Sequence, residues 1–218
     1  GQEQQIKWLQ HYLKLRGIDP NPACMCLIGY IGSRRQARGA KSEAGSIIGR
    51  FKGITVGKHI GNAWKKNRFR SAYLRNTLWD LGYAVDTLET AVNWDKVTDT
   101  MVRVENGLEQ ALNSVNEPIL AFSHLSHVYA TGSSIYTTFV FRLADTPQKT
   151  LEHWRTLKQA ASRAIVEAGG TISHHHGIGK DHSPYLEAEK GPIGINTLHQ
   201  VFSYLDPNRQ MNPGKLLP

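Results

Sequence analysis

The histidine segment at residues 173–180 is the part of this sequence with the clearest chemical potential. Its sequence is Ser-His-His-His-Gly-Ile-Gly-Lys, and it begins three residues after a pair of glycines, Gly169-Gly170, that ends a predicted helix. In an extended chain His174 and His176 point to one side and His175 to the other. The glycines let a ligand approach the backbone closely, and the Lys180 ammonium can bind an anion.

Three interpretations of the histidine segment are open. A metal site would need further cysteine or acidic ligands, and residues 173–180 contain none, so we predict no metal. A chance surface tract is the second interpretation. The third is a catalytic or phosphate-binding loop, because imidazoles that change charge near neutral pH can transfer protons and bind anions.

The elements that must position this segment alternate between helix and strand. Helical patterns predict helices over 3–16, 59–82 and 94–112, and Ser33 is expected to cap another that ends near Arg50. A long helix should begin at Thr146-Pro147 and end at Gly169-Gly170, and two short ones should follow near 184–190 and 194–204. Strands are predicted at 23–31, 54–56, 83–90, 118–128 and 134–143.

The last two strands decide the fold class. A turn of only a few residues joins them, so they must pair antiparallel. We therefore predict an α+β fold, with helices on one face of an antiparallel sheet, in the manner of duplicated ferredoxin-like units. The other face would need a partner. Two histidines near a strand end, His124 and His127, are expected to have isolated hydrogen-bonding roles, with membership of the site as the alternative.

Composition and charge limit the function. The 218 residues carry a net charge of +8 with a pI near 9.5, which attracts phosphorylated small molecules, nucleic acids and acidic membrane surfaces. The basic run at 65–70 has no nucleic-acid-binding motif beside it, so we predict no nucleic-acid partner. The two cysteines, Cys24 and Cys26, are expected to be buried and unbridged, and a reducing, cytoplasmic location follows.

Residues 173–180 closely resemble the histidine loop of the alkyldihydroxyacetonephosphate synthases, a group within the FAD-linked oxidases of the vanillyl-alcohol-oxidase type. The resemblance extends to most of the chain. Further similar blocks are Tyr-Leu-Arg-Asn at 73–76, Leu-Glu-Thr-Ala-Val-Asn-Trp-Asp-Lys-Val at 88–97, Gly-Ser-Ser-Ile-Tyr at 132–136, and Leu-Asp-Pro-Asn with Met-Asn-Pro-Gly-Lys-Leu within 205–216.

The resemblance implies that residues 1–218 are the C-terminal cap domain of such a flavoenzyme. FAD would be bound non-covalently and mostly by an N-terminal domain preceding residue 1, so this chain should be inactive without that partner. The implied reaction replaces the fatty acid of acyl-dihydroxyacetone phosphate with a fatty alcohol, without net redox change. The implied partners are the phosphorylated lipid and the alcohol. An exposed half-sheet would also allow a homodimer, and the basic charge would allow contact with a membrane surface.

The resemblance also implies roles for individual residues. Tyr136 and His174, His175 and His176 would form the proton-transferring group, although Tyr136 read alone is a strand aromatic facing the core. Arg75 would bind the phosphate, and its alternative is a surface ion pair with Asp80 or Asp86. Thr87 stands where a serine is expected, so it keeps the hydroxyl and adds a methyl group. Asn212 and Lys215 would contact the flavin, and their alternative is a polar tail.

Two other functions compete with the synthase. The first is oxidation of a 2-hydroxy acid such as D-lactate on the same scaffold. Enzymes of that kind tend to carry Glu-His-Gly where this chain has His175-His176-Gly177, which argues against it. The second is a basic binding module without catalysis, which a gene with no upstream FAD domain would favour.

Overall fold

A computed structural model describes residues 2–19 and 25–217, which divide into two compact units, Gly1–Ala72 and Tyr73–Pro218. The first unit is helical in its described part, with α1 at Gln2–Leu15, α2 at Arg34–Arg50 and α3 at His59–Asn67. The Ser33 hydroxyl accepts a hydrogen bond from the Gln36 amide, and the Gln36 side chain accepts one from the Ser33 amide. This capping box starts α2 where the sequence predicts.

The strands predicted in this first unit are wrong where the structure describes them. Residues 25–31 and 54–56 have no regular secondary structure, and Ile31 is 99% exposed. The rest of the first prediction, residues 23 and 24 with Cys24, lies outside the described residues. Cys26 is exposed, contrary to the expectation of a buried thiol. A strand forms only where a neighbouring strand pairs with its backbone, and the described part of this unit contains none.

The second unit is α+β, as predicted. Its helices are α4 at Leu74–Asp80, α5 at Val97–Gln110, α6 at Pro147–Glu167 and α7 at Leu186–Leu205. Its strands are β1 at Tyr83–Asn93, β2 at Leu120–Val128 and β3 at Gly132–Arg142, which form a three-stranded antiparallel sheet in the order β1-β3-β2. Short 3-10 helices lie at Arg70–Tyr73, Trp94–Lys96, Asn113–Val115 and Ser183–Tyr185.

One face of this sheet packs against α5 and α6. Leu88, Phe139 and Phe141 of the strands share a single apolar cluster with Leu108 of α5 and Leu157 of α6, and all five are at most 2% exposed. Successive residues of a strand point to opposite faces. Residue 89 and its neighbours across the sheet therefore lie on the face turned away from these helices.

Local signals set the boundaries of several elements. The Thr146 hydroxyl accepts a hydrogen bond from the Lys149 amide and Pro147 opens α6, as predicted. Gly191, at φ 69°, interrupts α7 and divides it into the two expected helices. Gly132 begins β3 so close to the Val92 carbonyl that a Cβ atom would overlap it. A side chain is therefore excluded at this end of the hairpin.

The order βαββα is that of the first five elements of a ferredoxin-like unit. The described residues contain one such sheet, and the predicted duplication stays a prediction. Within the described residues, no helix has the length and apolar character needed to cross a membrane.

Candidate active site

A buried carboxylate, Glu89, lies on the open face of the sheet, on the edge strand β1. It is only 4% exposed. The register places it opposite Tyr136 of the central strand β3, and Tyr136 is in turn opposite His124 of β2. Three strands therefore contribute neighbouring acidic, phenolic and imidazole side chains to one face.

Three histidines surround the Glu89 carboxylate. His127 Nδ1 lies 3.4 Å and His174 Nδ1 3.3 Å from Oε1, and His176 Nε2 lies 3.4 Å from Oε2. The approach of His174 Nδ1 is too bent for a hydrogen bond, so this contact is electrostatic. One carboxylate thus orients imidazoles from two separate parts of the chain.

Two serines complete the contacts of Glu89. The Ser126 hydroxyl donates to Oε1, and it lies 2.7 Å from the hydroxyl of Ser134. Burial raises the pKa of Glu89, but the hydrogen-bonding serines Ser126 and Ser134 and the nearby His174 ring outweigh it and hold that pKa below its ordinary value. Glu89 is therefore ionised at neutral pH.

An irregularity in β2 brings Ser126 and His127 to this site. The pairing of β2 with β3 shifts register between Leu125 and Val128. A bulge of this kind re-aims the side chains of its strand. The backbone amide of His127 donates to the Ser134 hydroxyl at 2.9 Å, which fixes the irregular segment to β3.

Backbone hydrogen bonds tie the histidine segment to β1. The His174 amide donates to the Glu89 carbonyl at 2.9 Å, and the His176 amide donates to the His174 carbonyl at 2.8 Å. The chain turns at His175, which has a φ of 62°. His174 and His176 both reach Glu89, as their spacing predicts, and the His175 ring stacks on His127 with centroids 4.8 Å apart.

Two tyrosines lie at the edge of this cluster, in different relations to it. The Tyr129 hydroxyl is 3.0 Å from His174 Nε2. The Tyr136 ring meets the His176 ring edge-on at 5.5 Å and the His124 ring at 5.2 Å. Within the part of the chain that the structure describes, the Tyr136 hydroxyl makes no hydrogen bond.

The predicted phosphate ligands lie apart from these contacts. Arg75 is exposed on α4 and makes no ion pair within the described ranges. Asp86, a partner considered for Arg75, instead accepts a hydrogen bond from Trp154 Nε1 at 2.6 Å and lies 3.7 Å from Lys158 Nζ. Thr87 is half-buried two residues before Glu89, on the same face of β1.

The remaining predicted residues lie on the loops that follow α6. Lys180 and Asn212 are exposed, and Lys215 is half-buried. The Leu216 amide donates to the Gly179 carbonyl at 3.1 Å, which places the C-terminal segment beside the histidine segment. The assigned roles of Lys180, Asn212 and Lys215 stay predictions.

Sequence reasoning missed four members of this site: Glu89, Ser126, Tyr129 and Ser134. It looked for an acidic partner close to the histidines in the sequence, whereas the sheet supplies one from β1. A glutamate within the otherwise apolar run at 88–92 was the available signal, because a buried carboxylate needs partners. The isolated role expected for His127 is wrong, since it contacts Glu89, Ser126 and Ser134.

A metal ion is one further ligand to consider. Ring nitrogens of His127, His174 and His175 all lie within 4.8 Å of one another. Both ring nitrogens of His174 already face other groups, however, with Nε2 toward Tyr129 and Nδ1 toward Glu89. A metal ion bound here would have to displace one of these two contacts of His174.

Comparisons with known proteins show which proteins this chain resembles. The chain is 26% identical over 204 residues to the alkyldihydroxyacetonephosphate synthase of Trypanosoma brucei brucei, covering 94% of this chain and 33% of that protein. It is 30% identical over 194 residues to the enzyme of the same name from Caenorhabditis elegans, covering 88% and 32%. The chain thus spans about a third of the length of these curated relatives.

A solved structure of an alkyldihydroxyacetonephosphate synthase shares the fold, with a TM-score of 0.53 at 18% identity over 83% of this chain and 29% of that one. The family model described as FAD linked oxidases, C-terminal domain, matches residues 2–216. The cofactor of this family is FAD. The protein therefore belongs to the C-terminal domain family of the FAD-linked oxidases.

Proposed function

We propose that this chain is the substrate-binding and catalytic part of an FAD-dependent alkyldihydroxyacetonephosphate synthase. The reaction would exchange the acyl group of a dihydroxyacetone phosphate ester for an alkyl group. The observation that carries the proposal is the cluster of His127, His174 and His176 around ionised Glu89 on an open sheet face. Such a cluster supplies proton transfer without requiring net oxidation.

Two steps of this exchange require a basic group that accepts a proton. A proton is removed from the substrate carbon and later returned, and the fatty alcohol loses its hydroxyl proton as its oxygen bonds to that carbon. The fatty acid leaves as a carboxylate. We assign the first transfer to Tyr136 with His176, whose rings are in contact. A tyrosine is a weak base alone, and a neighbouring imidazole can accept its proton.

The buried carboxylate would set the state of the histidines. An ionised group beside an imidazole favours the protonated ring that forms when the imidazole accepts a proton. It also holds the ring in one orientation, as the buried aspartate of a Ser-His-Asp triad does. Glu89 therefore acts through His127, His174 and His176 as a positioning residue.

Phosphate binding is assigned to cations outside the cluster. Arg75 and Lys180 are both exposed, so they are open to a ligand, and the net charge of +8 favours an anionic substrate. Thr87 adds a hydroxyl on the same face as Glu89. These assignments rest on the resemblance of the surrounding blocks.

The open face fits the role of a cap over a flavin ring. Thr87, Tyr136 and Thr138 are half-buried there, and Phe122 beside them is 47% exposed. When bound, FAD would supply the reversible electron acceptor that activates the substrate carbon. We propose that a separate FAD domain holds most of the cofactor and that Asn212 and Lys215 contact it. The second ferredoxin-like unit, the homodimer, contact with a membrane surface and the cytoplasmic location belong to the same proposal.

Oxidation of a 2-hydroxy acid is the alternative. The mitochondrial D-lactate dehydrogenase of Arabidopsis thaliana is 28% identical over 124 residues, which cover 56% of this chain. That match is shorter than the matches to the synthases. His175, in place of the glutamate that the oxidases tend to carry, also weighs against it.

The deciding experiment uses the complete gene product, purified and examined for a visible flavin spectrum. Incorporation of radiolabelled fatty alcohol into acyl-dihydroxyacetone phosphate is then measured for the wild type and for His176→Ala. His59→Ala is the matched control, because His59 is exposed on α3 in the other unit. We expect His176→Ala to lose about 100-fold or more in turnover and His59→Ala to keep it.

Each other outcome argues against the synthase. A flavin spectrum that bleaches with D-lactate, without alcohol incorporation, would establish the oxidase. A protein without flavin would be a binding module. Equal activity of His176→Ala and the wild type would remove the histidine cluster from the chemistry.

A further inference from the structure

Tyr129, His174 and Glu89 form a continuous chain of polar contacts that the roles assigned above do not use. We infer that Tyr129 is a second proton acceptor, which takes the hydroxyl proton of the alcohol and passes its own proton to His174. This inference rests on the proposed function. It gives Tyr129 a catalytic role that is distinct from that of Tyr136.

The distances support transfer along this chain. The Tyr129 hydroxyl is 3.0 Å from His174 Nε2, and Nδ1 of the same ring is 3.3 Å from Glu89 Oε1. His174 Nδ1 is buried, and this carboxylate is the ionic group facing it. With the proton of the neutral ring on Nδ1, Nε2 is free to accept the tyrosine proton.

Exposure to solvent decreases from Tyr129 through His174 to Glu89. Tyr129 is 44% exposed, the His174 side chain is 15% exposed and Glu89 is 4% exposed. A proton-transfer chain needs one end that reaches the ligand and another that stabilises charge out of water. Tyr129 provides the first of these and Glu89 the second.

The proposed transfer is balanced in atoms and charge. The alcohol O–H bond breaks as its oxygen bonds to the substrate carbon, and the proton bonds to Tyr129. The Tyr129 O–H bond breaks at the same time, and Nε2 of His174 gains that proton. The resulting imidazolium faces the Glu89 carboxylate and returns its proton to water after the fatty acid has left as its anion.

Other titratable side chains lie on two sides of the Tyr129–His174–Glu89 contacts. The rings of His127 and Tyr129 stack at 6.4 Å, and His175 lies 4.2 Å from His174 between ring centroids. His176 faces the other oxygen of Glu89. Tyr136, by contrast, makes only ring contacts, so its hydroxyl has no comparable route to Glu89 among the described residues.

The first test does not depend on the reaction. The 218-residue chain, labelled with ¹⁵N-histidine, is studied by NMR at a pH where the histidines are neutral. We expect the proton of His174 on Nδ1, and an Nε2 signal that shifts in Tyr129→Phe and stays in place in Tyr136→Phe. A His174 ring protonated on Nε2, or a signal that responds only to Tyr136→Phe, would contradict the proposed proton transfer from Tyr129 to His174.

The second test measures turnover of the FAD-containing protein. Tyr129→Phe keeps the aromatic ring and removes the hydroxyl, and Tyr204→Phe is the control because Tyr204 is 86% exposed on α7. We expect Tyr129→Phe to lower kcat by about 100-fold or more with KM unchanged, the scale of general base catalysis. Wild-type kcat in Tyr129→Phe, or a change confined to KM, would overturn the catalytic role.

The two tests separate this inference from the proposed function. If the wild-type protein forms no ether, the proposed function fails. The NMR result still decides whether Tyr129, His174 and Glu89 are connected as proposed. If ether forms and Tyr129→Phe is fully active, the proposed function stands and the inference fails.

Discussion

The two faces of the three-stranded sheet use the same strands for different purposes. On the face covered by α5 and α6, Leu88, Ile135 and Phe139 are at most 2% exposed and contact other apolar groups. One residue along, on the open face, Glu89 is nearly as buried, yet it lies among histidines and serines. Burial of apolar area stabilises the fold, whereas burial of a charge costs free energy unless partners compensate.

This difference separates stability from chemistry. Side chains on the covered face should control the free energy of unfolding at any pH. Those on the open face should control the ionisation of the cluster and, in the flavin-containing protein, turnover. Substitutions one residue apart on the same strand should therefore have different consequences.

The largest effect on stability is expected on the covered face. Phe139→Ala removes a fully buried ring and should lower the free energy of unfolding by about 3–5 kcal/mol, because a cavity is left in the packed cluster. Urea unfolding followed by circular dichroism measures it. Tyr136→Phe, on the open face, should change the same quantity by less than about 0.5 kcal/mol. Equal losses in both variants would show that the two faces are not distinct.

The ionisation of Glu89 on the open face should make the free energy of unfolding depend on pH. The pKa of Glu89 is lower in the folded chain than its ordinary value, because the serine and His174 contacts outweigh burial. The unfolded chain then binds the proton first as pH falls, so this stabilisation is present above the ordinary glutamate pKa. It is lost as pH falls through the lowered value.

Glu89→Gln tests this dependence. The difference in melting temperature between wild type and variant should shrink as the pH is lowered through the acidic range. Glu109→Gln, which replaces an exposed glutamate of α5, is the control and should parallel the wild type throughout. A Glu89→Gln curve parallel to that of the wild type would contradict the lowered pKa.

A smaller effect is expected from a polar pair within the covered face. The hydroxyls of Ser123 and Thr137 are 2.8 Å apart, and Thr137 is fully buried among apolar residues. Thr137→Val keeps the shape and removes one hydrogen bond, so unfolding should become easier by about 0.5–1.5 kcal/mol. Combining it with Ser123→Ala in a double-mutant cycle gives the pair energy, and a coupling near zero would show that the bond contributes nothing.

The smallest effect is expected from metal ions. If the open face is an acid–base site, Zn²⁺ should leave the melting temperature of the 218-residue chain unchanged in wild type and in His175→Ala alike. If Zn²⁺ bound the folded chain, a free concentration of 100 times its Kd would stabilise the fold by about 2.7 kcal/mol. A zinc-dependent rise that His175→Ala abolishes would convert the cluster into a metal site.

Local signals made several elements predictable. Ser33 and Thr146 cap their helices with side-chain oxygens, and the short turn before Gly132 forces β2 and β3 to pair antiparallel. These features depend on a few neighbouring residues, so they can be read without the rest of the chain. The strand expected at 23–31 depends on a distant pairing partner, and its described part is irregular.

The sequence determined which chemistry is available: three adjacent histidines, nearby glycines, basic side chains and motifs shared with a flavoenzyme family. Which groups act together was decided by the tertiary structure. The antiparallel register sets Glu89 opposite Tyr136, and the irregularity in β2 brings Ser126 and His127 to the same carboxylate. The physical reason is that a buried charge requires several partners, and here strand pairing and the histidine segment bring them to Glu89 from distant parts of the sequence.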